Sequence, residues 1–132
     1  MKIFDCTTFY SEHLMMDLRF NILNDYVEKF IVCESTISHS GKKKKLNFDI
    51  NNYPKFKDKI SYIIIDEEPE DIIGLKNGLA KPHEKRSDSL KRINLSYDYM
   101  IKAIDKASEN DLIILSDNDE IPNLKSTTLS KI

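Results

Sequence analysis

Two unbroken apolar runs constrain this chain more than any other feature: Tyr62-Ile63-Ile64-Ile65 and Leu112-Ile113-Ile114-Leu115. A strand with one wet face alternates apolar and polar residues, whereas a strand covered on both faces reads as a continuous run. Such runs need helices on each side of the sheet, which is the arrangement of a parallel α/β domain. At four residues each, they fall far short of the about 20 that a membrane-spanning helix needs. The 132 residues are enough for one domain. With 40% hydrophobic and 32% charged residues, disorder is excluded as the default state.

Helix and strand signals alternate around those runs. Lys2–Cys6 is a short β-prone stretch. Ser11 offers an N-cap with Glu12 in the first turn. Leu14, Leu18, Ile22 and Tyr26 follow at spacing four, with Met15 and Leu23 widening the stripe. This spacing predicts a helix over about residues 12–27 with that stripe toward the core. Phe30–Cys33 is the next buried strand, and the three elements fit one βαβ unit. A polar loop, Ser35–Lys45, turns at Ser40-Gly41, and Pro54 opens a short helix over residues 52–59. Ile60–Ile65 is the third strand. Residues 66–83, with Pro69, Gly74, Gly78 and Pro82, lack periodicity and read as a long functional loop. Apolar residues from Leu90 to Ile104 predict a helix over about 85–107, Asp111–Ser116 a fourth strand, and Leu124–Ile132 a final helix. The expected fold is a three-layer α/β domain with a mostly parallel sheet. Ligands of such sheets bind beyond the C-terminal strand ends.

Charge excludes some partners. Twenty Lys and Arg against 22 Asp and Glu leave a net charge of −2, so neither nucleic acid nor an anionic membrane is expected. Cys6 and Cys33 sit in apolar contexts and read as reduced core thiols. The start Met1-Lys2-Ile3-Phe4-Asp5 places an acid where a signal peptide is apolar, and a cytoplasmic location is expected. The three histidines and two cysteines have no zinc-site spacing.

The sharpest local feature is Leu112-Ile113-Ile114-Leu115-Ser116-Asp117-Asn118-Asp119-Glu120-Ile121-Pro122. A buried strand delivers three carboxylates within residues 117–120 at its C-terminal end. Charges so close repel unless a cation neutralises them, and hard ions such as Mg²⁺ or Mn²⁺ take oxygen ligands. The competing reading is a solvated acidic turn that caps a following helix. A calcium loop of the EF-hand type fails, because Ile121 and Pro122 stand where a ligand and a glycine belong. A phosphatase with an Asp-x-Asp nucleophile pair and a nucleotide-sugar transferase with an Asp-x-Asp metal pair both remain open.

Four ordered blocks then resemble the N-terminal part of glycosyltransferase family 17, the family of β-1,4-mannosyl-glycoprotein N-acetylglucosaminyltransferases. They are residues 2–12 (KIFDCTTFYSE), 17–23 (DLRFNIL), 30–42 (FIVCESTISHSGK) and 115–122 (LSDNDEIP). The resemblance implies a GT-A-like fold, a donor that is a UDP-sugar, and transfer to a saccharide acceptor. It would make Asp117 and Asp119 the metal pair, with Mn²⁺ or Mg²⁺ as cofactor and Asp117 also meeting the diphosphate. It would place Glu34 and Ser35 near the nucleoside, and Arg92, in Lys91-Arg92, near phosphate. Glu12 and Arg19 match the family's first helix. The chain departs from the family in lacking a tryptophan before His83-Glu84. The base-bearing, acceptor-binding half of such enzymes lies beyond Asp-x-Asp, so a fold truncated after that motif is expected. Glu120 is then the one candidate base on that strand end. A homo-oligomer, a second-half partner chain or a non-catalytic nucleotide-binding role are the corresponding expectations.

Overall fold

The computed structural model describes residues 1–77 and 81–126. Four strands, β1 (Ile3–Thr8), β2 (Lys29–Ser35), β3 (Ile60–Ile65) and β4 (Leu112–Ser116), form one sheet in the order β3-β2-β1-β4. Every neighbouring pair is parallel, with Asp5 beside both Phe30 and Ile114. All four C-terminal ends therefore open at the same edge. The helices are α1 (His13–Leu23), the short α2 (Ile73–Asn77) and α3 (Pro82–Ala103). Among the described residues no helix is long and apolar enough to cross a membrane.

Strand alternation sends side chains into two cores. On one face Ile3, Phe30, Val32 and Ile60 pack with Met16, Phe20 and Leu23 of α1 and with Phe48, Tyr53 and Phe56. On the other face Phe4, Cys6, Ile31, Cys33 and Ile65 pack under Met100 and Ile104 of α3. Both thiols are free and buried, and burial pushes each up to about 12, so neither is a reactive thiolate. Helix α3 lies over β2 and β3. The expectation that the Leu112–Leu115 run is covered on both faces fails: β4 is the edge strand, helix α3 packs over β2 and β3 instead, and Ile113 and Leu115 remain 42% and 43% exposed.

Several local expectations need correction. Helix α1 ends at Leu23 rather than residue 27, and Ser11 does not cap it. Glu12 holds the cap position, and its carboxylate turns back to accept the Tyr10 and Ser11 amides. Of the predicted core stripe of α1, Leu23 is buried as expected, but Leu14 is 80% exposed and Leu18 and Ile22 are 45% exposed. A second series, Met16, Arg19, Phe20 and Leu23, is the buried one. Phe20 decides the choice: its ring meets Phe30, Tyr53 and Phe56 with centroids 4.8–5.6 Å away.

The expected helix over 52–59 is instead two 3₁₀ turns, Ile50–Asn52 and Lys57–Lys59, which fold Tyr53 and Phe56 inward. The loop expected over 66–83 contains α2, and Pro82 occupies the first turn of α3, where a missing N–H costs nothing. Asp88 joins the two helices by accepting the Ile73 and Gly74 amides at 2.8 and 2.9 Å. Of the helix expected over 124–132, residues 124–126 form a turn, and residues 127–132 lie outside the described residues.

The two faces of α1 make the packing testable. Phe20→Ala should cost about 3–5 kcal/mol of stability, whereas Leu14→Ala should stay within about 0.5 kcal/mol of the parent. Urea unfolding of both variants checks this, and the reverse ranking would place the other stripe in the core.

Candidate functional site

Because all strands run the same way, the loops after them meet around one cleft of about 800 Å³. Lining it are Thr8–Tyr10 at and after the end of β1, Ser35 with residues 37–40 and 42–44 at and after the end of β2, Glu67–Pro69 after β3 and Asp117–Asp119 after β4, together with Arg92 and Leu95 of α3.

The loop bearing the aspartates is held from below by a buried ion pair. Asp5, in the middle of β1, and Arg19, on the inward face of α1, are 1% and 0% exposed. Arg19 Nε and Nη2 donate to the two Asp5 oxygens at 2.6 Å each. Nη2 also donates to Ser116 Oγ at 2.6 Å, and Nη1 donates to the Asp117 and Glu120 carbonyls at 3.3 and 2.7 Å. These bonds account for all five guanidinium N–H groups. A lysine has neither the donor count nor the planar fork to replace them. The backbone from 116 to 120 is thus shaped around Arg19, and the Asp117 and Asp119 side chains are left to the cleft. Among the described residues, neither carboxylate makes a hydrogen bond or an ion pair. Glu120 contributes its carbonyl to Arg19, and its exposed side chain is not part of the cleft wall.

Glu34 lies at the same sheet edge but is fully buried and does not line the cleft. Lys44 Nζ donates to Oε2 at 2.6 Å, Tyr62 Oη to Oε1 at 2.7 Å, and the Asn47 and Phe48 amides complete the shell. Burial alone would raise this carboxyl, but the Lys44 ammonium, the Tyr62 hydroxyl and the two amides together hold it below the ordinary carboxylate value. Its observed work is to fasten the loop after β2. The residue after it, Ser35, does line the cleft, with its hydroxyl accepting the Ile37 amide.

Arg92 also reaches the cleft, and it is already partnered. Nε and Nη2 donate to Glu68 at 2.8 and 3.1 Å, and Nη1 donates to the His39 carbonyl at 2.9 Å. Its guanidinium passes over Gly41, whose φ is +89° and whose added Cβ would lie 2.8 Å from Nη2. The left-handed backbone is what favours glycine here, while an added Cβ would also displace the Arg92 guanidinium. His39 is lowered by burial, against a raising effect from Asp117 and with a further lowering from Arg92. Glu68 follows the third strand, where a ligand-edge position is expected from sequence, whereas nothing in the sequence singles out Lys44. The signal for Arg19 was present: a carboxylate at Asp5 inside a buried strand demands a cationic partner.

Two measurements probe these buried groups. Arg19→Lys should lower stability by about 2 kcal/mol or more in urea unfolding, because the loop carbonyls lose donors that lysine does not supply. Glu34, with its folded pKa below the unfolded value, contributes stability that is complete above roughly pH 4.3 and lost as pH falls through the folded value. Glu34→Gln removes that dependence, so its urea midpoint should change less than the parent's between about pH 6 and about pH 3. Parallel pH profiles would mean that Glu34 is not held as a charged group.

No curated protein and no solved structure matches the chain. A family model does match it: glycosyltransferase family 17, across residues 1–132. The whole chain is covered, and the protein belongs to glycosyltransferase family 17.

Proposed function

We propose that the cleft binds a nucleoside-diphosphate sugar together with a divalent cation, and that the protein serves the transfer of that sugar to a saccharide hydroxyl. The observation that carries this reading is the pair Asp117 and Asp119, exposed, without a side-chain hydrogen bond or ion pair among the described residues, and lining the same cleft as Lys42, Lys43 and Arg92. Other carboxylates at this end of the sheet, Asp5, Glu34 and Glu68, are spent on internal cations.

These two carboxylates fit a hard ion. Oxygen donors suit Mn²⁺ or Mg²⁺, and such sites are completed by phosphate oxygens and water rather than by an all-protein cage. When bound, the ion supplies Lewis-acid stabilisation of charge on the leaving nucleoside diphosphate. The chain's own contributions are distinct. Arg19 fixes the backbone from which both aspartates project. Ser35 borders the cleft next to the loop that Glu34 fastens, where a nucleoside would sit. Arg92 presents a cation toward phosphate while Glu68 keeps it oriented. We assign the donor as a UDP-sugar and the transferred group as N-acetylglucosamine on the strength of the family.

UDP should bind more tightly with Mn²⁺ than in EDTA, and Asp119→Asn should remove most of that difference, by about tenfold or more in Kd. Calorimetry giving equal UDP affinity in Mn²⁺ and in EDTA would end the metal assignment.

A further inference from the structure

A second groove, of about 480 Å³, lies on the far side of the turn at residues 38–42, between that turn, α2 and the start of α3. It shares Ser40, Lys42 and Arg92 with the cleft, so the two spaces adjoin across one wall. Its volume is within the range of small-molecule sites, roughly 300–1,000 Å³.

The charge of this groove is one-sided. Lys42, Lys85 and Arg86 line it, and none of the three is in an ion pair among the described residues. Among the described residues Asp88 is its one lining carboxylate, and its two oxygens accept the Ile73 and Gly74 amides. Arg92, the fourth cation, is matched by Glu68. With Arg92 matched by Glu68 and the Asp88 carboxylate offsetting one more cation, the lining still keeps an excess of positive charge on a protein whose net charge is −2. Like charges so grouped repel, and an anion between them relieves that repulsion. Gly41 and Gly74 keep side chains out of the groove.

We propose that this groove binds an anionic group, phosphate or carboxylate, carried by the saccharide acceptor. Anion binding rests on the groove alone, whereas calling the ligand an acceptor rests on the transferase reading and on the shared wall. A sugar whose anion is held by Lys85 and Arg86 lies next to the donor cleft, so the groove selects charged acceptors over neutral ones.

The test uses the full chain, ¹⁵N-labelled, titrated with mannose 6-phosphate, glucuronate and neutral mannose as probes. The two charged sugars should bind, with shifts at residues 40–42 and 85–89, and added salt should weaken them. A Lys85→Ala, Arg86→Ala double variant, both side chains being exposed, should fold normally, keep UDP binding and weaken the charged sugars by about tenfold or more. Preference for phosphate or for carboxylate identifies which anion the groove takes. Equal affinity in parent and double variant, equal binding of neutral mannose, or shifts confined to residues 117–119 would overturn the proposal. Loss of manganese-dependent UDP binding with the charged sugars still bound would instead defeat the transferase reading and leave the groove standing.

Discussion

The ion pair between Asp5 and Arg19 joins the fold to the site. Burying two charges costs several kcal/mol each before their attraction is counted, so such a pair persists only when geometry and further hydrogen bonds are complete. Here they are complete: Asp5 takes two donors, and Arg19 places its remaining N–H groups on Ser116 and the carbonyls of Asp117 and Glu120. One side chain from α1 therefore sets helix rotation, strand contact and the shape of the loop after β4. Together with the packing of Phe20 it keeps the face containing Met16, Arg19, Phe20 and Leu23 turned inward.

The same logic sorts the carboxylates at this end of the sheet. Asp5, Glu34 and Asp88 are buried, and their oxygens are occupied by cations or amides. They stabilise the frame that presents the cleft. Asp117 and Asp119 have no such partners and open onto the cleft. A carboxylate that is already satisfied gains little by binding a cation, whereas two unsatisfied ones close together gain charge neutralisation. Among the carboxylates that line the cleft, Glu12, Glu67 and Glu68 are likewise engaged, so this contrast isolates the pair.

Parallel topology makes the convergence possible. In a parallel sheet every strand delivers its following loop to one edge, so residues 35, 68 and 117 approach each other although they are far apart in sequence. The helix pair α2 and α3, joined through Asp88, then adds the basic groove beside that edge.

The strands, their parallel order at one edge, the long third helix and the aspartate pair were legible in the sequence. Continuous apolar runs and loop positions are local properties, and parallel pairing follows from helices lying between strands. The buried face of α1 was not legible: Leu14, Leu18 and Ile22 repeat as regularly as Met16, Phe20 and Leu23. Periodicity marks a stripe without saying what lies opposite it. Only the tertiary structure sets Phe20 among Phe30, Tyr53 and Phe56, and Arg19 against Asp5. Glu34 likewise reads as a cleft residue by position, and it becomes a fastening for the next loop because Lys44, Asn47, Phe48 and Tyr62 surround it. The sequence by itself determined which elements form and which edge collects their loops. The tertiary structure decided which charges are consumed inside and which are left open to the cleft, because that depends on partners met through space.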